Sequence, residues 1–482
     1  MFHICFAANE SYIKYTAVLI TSIIKSTDTT KKFKDFFAAN NADNANGGGA
    51  LKLNSFNKAN SLGSNPTQPK SNDTALNFTQ SNSSPSQSSL AKFKKVDYDT
   101  LPNAQKREGY VFHLLIDKIS NTARLKLNNL INKELNKIYP CELYIHICDD
   151  LPAYANTPTY FRLFIIDFMP QSVSRCLYLD GDMLAFKDLR ELWTLDLKGK
   201  AVGAINDNTL VKKTHRKRKT GLFKDFYFNA GFLLMNLDEW REQSTLDKCL
   251  EFLTIHKDKV LFADQDALNY AIPKDKTLVL PLDYNLFIGA FSNITCNDEI
   301  KKFAFDYTRK EVNFALSHPA VVHFIAFKPW VRPYVIVDTN GKTLGMQWWD
   351  IALQTPLFKD EYQQEFDEKK EQWQRDEIFG KYIAFLILQN SRTLLGYLKM
   401  PFAVYRAFKE NERGELDLRN LALQIPNLSP NEHNLAYALF GAAKRAWENK
   451  RKGRLIDLPH RVWRLKIRYE KYGIARAIAQ EN

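Results

Sequence analysis

Two carboxylates close the segment Arg175-Cys-Leu-Tyr-Leu-Asp180-Gly-Asp182-Met-Leu-Ala. The run before them is apolar and β-prone, which reads as a strand with Leu177 and Leu179 on one face and Tyr178 on the other. Asp180 and Asp182, two apart, then project the same way from the carboxyl end of that strand, where open α/β sheets hold their ligands. Two hard oxygen donors with positions left open suit Mg²⁺ or Mn²⁺ shared with a phosphate, because such ions rarely occupy all-protein cages. The bland account of the same residues is a strand-ending turn, Asp and Gly being common there.

Three later segments add polar groups of related use. Tyr227-Phe-Asn229-Ala-Gly231 sets a small step between apolar runs, a bulge or turn at which a ligand can approach the backbone. Ala263-Asp264-Gln265-Asp266 puts carboxylates and an amide just before a helix-like run, with helix capping by Asp264 as the plain alternative. Val321-Val-His323-Phe-Ile-Ala-Phe-Lys328-Pro-Trp330 brings an imidazole off a strand end and a lysine one loop later. A lone histidine is more often structural. A neutral imidazole can nevertheless complete Mn²⁺ coordination, and Lys328 offers a positive charge for a diphosphate.

These residues need elements to carry them. Residues 2–8 read as a first buried strand, Ser11–Lys25 as a helix, Gly109–Ile116 as a strand, Ser120–Ile138 as a helix and Cys141–Ile147 as a strand. Pro158–Phe168 reads as a helix leading into the Asp180 strand; Val202–Asn206 follows, then the basic loop 212–219, an apolar run at Phe226–Leu237 and a helix at Asp247–His256. Strands alternating with helices imply an α/β fold with a mostly parallel sheet covered by helices. Residues 27–107 turn to Asn, Ser, Gly, Lys and Gln, a composition that cannot offset ordering entropy, so a low-complexity, disordered insertion is expected there. Beyond about 350 the character changes: Glu361–Arg375 is highly charged and Phe385–Leu398 reads as an amphipathic helix. The expected division is a catalytic domain over 1–350 and a helical region with a basic aromatic tail over 351–482.

In this order and spacing the segments resemble glycosyltransferase family 8, the retaining α-glycosyltransferases of the GT-A fold, over residues 1–27 and about 108–335. The resemblance implies a UDP-hexose donor, Mn²⁺ or Mg²⁺, and a saccharide acceptor. It assigns Ala7, Asn9 and Tyr12 to the uridine, with Tyr12 stacking on the base and Asn9 standing where aspartate is frequent. Arg162 reaches the donor sugar and the metal-side aspartate. Asp180, Asp182 and His323 become the metal ligands and Lys328 the diphosphate lysine. Asp207, Asn229, Asp264 and Gln265 fall on the donor-sugar or acceptor side. Gln265 stands where a nucleophile would be expected, and because an amide is a poor one, front-face attack is favoured. One departure is visible: the family pattern His-x-x-Gly-x-x-Lys-Pro-Trp is one residue shorter here and has Ala326 for the glycine.

The remaining properties bound this reading. The chain has 482 residues, 45% of them hydrophobic, and a net charge of +13, which suits acidic partners. Its six cysteines lack CxxC pairing and read as buried thiols of a cytoplasmic protein. The start lacks a signal-peptide pattern, and no run is long and apolar enough to span a bilayer. In the tail, Val462, Leu465, Tyr469 and Ile474 make one stripe flanked by Arg461, Arg464, Arg468 and Lys471. It fits a helix lying on an anionic membrane surface, at the inner face of the cytoplasmic membrane, where a lipid-linked saccharide acceptor would be found; a solvated helix packed on the catalytic domain fits equally. No nucleic-acid module accompanies the charge. The leading expectation is transfer of galactose or glucose to lipopolysaccharide or lipooligosaccharide. The rivals are a self-glucosylating, glycogenin-like priming enzyme and a non-catalytic nucleotide-sugar-binding protein.

Overall fold

The computed structural model describes residues 1–38, 88–152, 157–207, 215, 218, 220–223, 226–287, 296–297, 307–325, 328–334, 342–390, 394–425 and six single positions (436, 439, 440, 443, 444 and 447). Its strands are β1 (Phe2–Ala8), β2 (Tyr110–Ile116), β3 (Cys141–Ile147), β4 (Arg175–Leu179), β5 (Met183–Ala185), β6 (Val202–Asn206), β7 (Phe228–Asn236), β8 (Thr277–Val279), β9 (Leu286–Phe287), β10 (Cys296–Asn297), β11 (Tyr307–Thr308) and β12 (Val321–His323). The main helices are α1 (Ile13–Ser26), α2 (Asn121–Asn129), α3 (Thr245–Ile255), α4 (Ala263–Ala271), α5 (Leu344–Ala352), α6 (Lys359–Asn390) and α7 (Leu394–Glu412).

Seven strands form one sheet in the order β3-β2-β1-β4-β7-β6-β8. Pairing is parallel throughout except at β7, which runs antiparallel to both β4 and β6. This is the α/β, mostly parallel architecture that the alternation of strand and helix patterns predicts. The alternation inside β4 sorts its side chains between two cores: Leu177 and Leu179 join the cluster that α1 covers, while Cys176 and Tyr178 join the cluster against α3 and α4. A second sheet, β5-β12-β9, lies at the carboxyl end of β4, and it positions the site.

Four expectations change in detail. The helix expected over Pro158–Phe168 is broken into Pro158–Phe161, a 3₁₀ turn at Arg162–Phe164, and Ile165–Phe168. The one expected over Phe385–Leu398 is two: α6 ends at Asn390, α7 begins at Leu394, and 391–393 lies outside the described residues. The stretch 27–107 is not uniformly disordered. Its middle, 39–87, lies outside the described residues, but both ends are packed, with Phe33 and Leu90 fully within the core. Each such burial contributes roughly 1.5–3 kcal/mol. Arg190, fully buried, ties the ends to the sheet by donating to the carbonyls of Asp28 and Lys31 and to the Glu108 carboxylate. Finally, packing continues across residue 350: Trp348, Trp349, Tyr362 and Trp373 belong to the catalytic core, and a separate helical core starts only at Phe379.

Candidate active site

Two strand registers assemble the site. In β4–β7, Leu179 pairs with Phe232, so Gly231 lies opposite Asp180, whose amide donates to the Gly231 carbonyl at 2.9 Å. In β5–β12, Met183 pairs with His323, which brings the imidazole beside Asp182; the Phe324 amide donates to the Asp182 carbonyl at 3.0 Å. His323 Nε2 thus lies 3.3 Å from Asp182 Oδ1 and 3.5 Å from Asp180 Oδ2. One ligand atom from each of Asp180, Asp182 and His323 falls within 4.8 Å of the others.

The donor set can hold a divalent cation, and three observations bear on the fit. First, Asn285 Nδ2 donates to Asn229 Oδ1 at 2.9 Å, leaving Asn285 Oδ1 to accept from His323 Nδ1 at 3.0 Å. With Nδ1 carrying the proton, the Nε2 lone pair is aimed at the carboxylates, the orientation a metal ligand needs. Second, a Cβ on Gly231 would come 2.3 Å from His323 Cε1 and 2.7 Å from Asp180 Oδ2, so only glycine leaves the cradle open. Third, burial opposes ionisation of Asp182, but the neighbouring His323 and Lys328 outweigh it and hold its carboxyl well below the usual range. Lys328 forms an ion pair with Asp182 Oδ2.

Arg162 joins this cluster to the next. Buried at 7% exposure, it approaches Asp180 Oδ1 with Nη2 at 2.9 Å, and its guanidinium lies over the Tyr178 ring at 4.4 Å. Tyr178 donates its hydroxyl to the same Asp180 oxygen at 2.8 Å. Asp264 Oδ2 lies 2.9 Å from Arg162 Nε, whose hydrogen is directed to the Thr159 carbonyl. Asp264 Oδ2 therefore has charge pairing but no aligned donor. Burial pushes the Asp264 carboxyl up to about 7, against the pull of Arg162 and with the Asp180 charge adding to the rise. Such a group can donate or accept towards a hydroxyl. The helix has no side-chain cap at Phe262, so the capping weighed for Asp264 is not seen; Asp266 accepts instead from the Leu261 and Phe262 amides, just before the helix.

The other expected residues lie around this centre. Gln265 Oε1 accepts from the Ala230 amide at 2.9 Å, which fixes its amide against β7. Asn229 Oδ1 accepts from the Gly231 amide and Asn229 Nδ2 donates to Asp207 Oδ2 at 3.2 Å, so Asn229 links Asp207 to the Asn285–His323 pair. Ala7 is at the end of β1. Asn9 caps the turn that follows, accepting from Ser11 Oγ and the Tyr12 amide, so its carbonyl oxygen serves the backbone and only its amide nitrogen remains for a base. Tyr12 meets Trp330 edge-on at 6.0 Å, and Tyr15 stacks on Trp330 at 3.6 Å. Ala326 lies outside the described residues, as does the basic loop 212–219 except Arg218 and a buried His215, whose Nε2 is 3.0 Å from Asp266 Oδ1. Sequence reasoning missed Asn285, Tyr178, Tyr15 and the His215–Asp266 pair. Only the aromatic spacing of Tyr12 and Tyr15 carried any signal for them.

A family model described as glycosyl transferase family 8 matches residues 3–333. General stress protein A of Bacillus subtilis is 30% identical over 192 residues, 39% of this chain and 63% of that protein. A lipopolysaccharide 1,2-glucosyltransferase of Escherichia coli is 26% identical over 242 residues, 50% of this chain and 65% of that protein. The chain spans about half the length of the curated relatives it matches. Among solved structures, the galactosyltransferase LgtC in complex with donor and acceptor sugar analogues aligns at a TM-score of 0.47 and 20% identity, covering 76% of this chain and 100% of that one.

Proposed function

This chain belongs to glycosyl transferase family 8, and from that premise we propose that it transfers a hexose, galactose or glucose, from a UDP-sugar to a lipopolysaccharide or lipooligosaccharide acceptor with retention of configuration. The observation that carries the reading is the convergence of Asp180, Asp182 and His323 beside Lys328, opposite a glycine that keeps the space open. Mn²⁺ is the favoured ion because the set mixes carboxylate oxygens with an imidazole. When bound, it would supply Lewis-acid stabilisation of the diphosphate leaving group.

The chain's own residues divide the remaining work. Lys328 would leave Asp182 for the diphosphate and add positive charge to the departing oxygen. Arg162 holds Asp180 in place through one contact and keeps Asp264 within reach of the donor sugar through another. Asp264, near neutrality at its raised pKa, would orient a sugar hydroxyl. The Gln265 amide, committed to the Ala230 amide by its oxygen, offers no nucleophile. The acceptor hydroxyl would therefore attack from the face that the diphosphate leaves. The new oxygen–C1 bond forms as the C1–phosphate bond breaks, and the hydroxyl proton passes to a β-phosphate oxygen of the released UDP.

Incubation of the purified chain with UDP-glucose or UDP-galactose, Mn²⁺ and truncated lipooligosaccharide tests this. The expected result is UDP release matched one for one by hexose on the acceptor in mass spectra. Hexose found on the protein itself would favour the priming reading. Absence of UDP release with every UDP-hexose tried would reduce the site to binding.

A further inference from the structure

A nucleotide-sugar donor has two ends to be held, and the residues assigned to them stand on separate elements. Tyr12, for the base, immediately precedes α1; Lys328, for the diphosphate, follows β12. The strands that lead to them, β1 and β12, lie in different sheets. A circuit of rings joins them. Tyr15, in the first turn of α1, stacks on Trp330 with centroids 3.6 Å apart and planes 7° apart. Trp330 belongs to a turn in which the Val331 and Arg332 amides both donate to the Lys328 carbonyl at 2.9 Å. It also packs on Trp348 of α5 at 5.2 Å, and Trp348 meets Tyr362 of α6 edge-on at 5.8 Å. The circuit closes where the Tyr362 hydroxyl donates to the Lys14 carbonyl at 2.6 Å, back in the first turn of α1.

Directed contacts fix this circuit at particular points. Trp349 Nε1 donates to the Pro329 carbonyl at 3.0 Å, between Lys328 and Trp330. Helix α5 comes this close because residue 345 is glycine: a Cβ there would stand 2.3 Å from the Pro333 carbonyl oxygen. Lys14 Nζ lies 2.9 Å from Glu365 Oε2, one turn beyond Tyr362, which ties α6 to α1 a second time. Trp348, Trp349 and Tyr362 are buried, whereas Tyr12 and Tyr15 are half-buried, so the circuit runs from the core out to the donor side. Trp348, Trp349 and Tyr362 also lie beyond residue 333, where the family match ends.

We infer that Tyr15 and Tyr362 are positioning residues of the donor site: they fix the base-stacking tyrosine and the diphosphate lysine in mutual register, and α5 with the start of α6 completes that site. This rests on the UDP-sugar reading above and concerns how tightly the donor is held. A ligand gripped at both ends binds more tightly when the spacing of the two grips is set beforehand, because little ordering remains to be done.

Calorimetric titration of the full-length chain with UDP plus Mn²⁺, and with uridine alone, tests this. A native chain that binds neither would overturn the transfer reading and this inference together. Given native binding, Tyr362→Phe removes one hydroxyl, keeps the ring contacts, and acts at the base end. It should weaken both ligands about fivefold. Tyr15→Leu removes the stack on Trp330, so it should weaken UDP about tenfold and uridine less, as the lysine end comes loose. In both variants the KM for the UDP-hexose should rise in the same proportion, with kcat at saturating donor nearly unchanged. Phe33→Leu is the control for stability, since Phe33 packs on Phe2 at the opposite end of β1 from Tyr12. It should lower the melting temperature and leave UDP binding as it was. Native UDP affinity in both tyrosine variants would overturn the inference with the transfer reading intact. So would equal weakening by Phe33→Leu, which would make the effect one of stability alone. Equal loss of uridine and UDP in Tyr15→Leu would overturn the link to Lys328.

Discussion

His323 and His113 are equally buried, each 3% exposed, and each lies on a strand, yet their surroundings make them opposite kinds of residue. His323 faces two carboxylates and a lysine across a space kept open by Gly231. His113 is the middle of a row across β1, β2 and β3. Its Nε2 lies 2.9 Å from His3 Nδ1 and its Nδ1 3.0 Å from His146 Nε2, with neighbouring rings stacked. Both nitrogens of His113 are taken by its neighbours in the row, so it has no lone pair left to turn towards an ion. At the site, Asn285 takes one nitrogen and the other is left aimed at acids. Burial alone thus says little about whether a histidine is functional; what its second nitrogen faces decides it.

The most severe way to break this contrast is to remove an acid from the site. Asp182→Ala should lower kcat/KM for UDP release by about 10³-fold or more, since both His323 and Lys328 lose their shared partner. A variant retaining a tenth of the native rate at saturating Mn²⁺ would detach Asp182 from catalysis. Next comes Gly231→Ala. The added methyl would press on the imidazole and on Asp180, and apparent Mn²⁺ affinity should fall about a hundredfold with little change in thermal stability. Unchanged affinity would mean that the cradle is wider than the backbone implies. A gentler test is Asn285→Leu, which removes the acceptor at His323 Nδ1. It should raise the Mn²⁺ concentration for half-maximal rate about tenfold and leave kcat at saturating metal nearly intact. A loss of kcat alone would argue that Asn285 acts elsewhere.

The sequence made the site legible to the extent that chemistry left a local mark. Asp180 and Asp182 end an apolar run, and His323 and Lys328 share one short segment. Asn285 left none: it occupies a 3₁₀ turn, Leu282–Asn285, and acquires its role only because β9 then pairs with β12. Tyr178 was hidden in the same way, as one more apolar residue of a strand. The fold was legible wherever period and composition agreed, as in β1–β3. It was not where a few anchors outweigh an average, which is why the ends of the 27–107 segment are packed around Phe33, Leu90 and Arg190 despite a polar composition. The break between α6 and α7 escaped because the polar run Gln389-Asn-Ser-Arg-Thr393 was absorbed into a single amphipathic helix.

The histidine row supplies the smallest effect and the cleanest opposite. Burial, with the charges of His3 and His146 adding to it, pushes His113 down to about 3, and burial first of all pushes His3 down to about 4. Both lie below the value an unfolded histidine takes, about 6.5. As pH falls below that value the unfolded chain binds protons that the folded row refuses, so stability is fully present above about pH 6.5 and drains away towards about pH 3. His113 alone should cost roughly 1–2 kcal/mol by pH 5. His113→Leu removes that titration along with two hydrogen bonds. Urea unfolding should therefore find the variant less stable than the native chain at pH 8, with the gap narrowing or reversing at pH 5. A gap that stays constant between the two pH values would mean that the row takes up protons while folded.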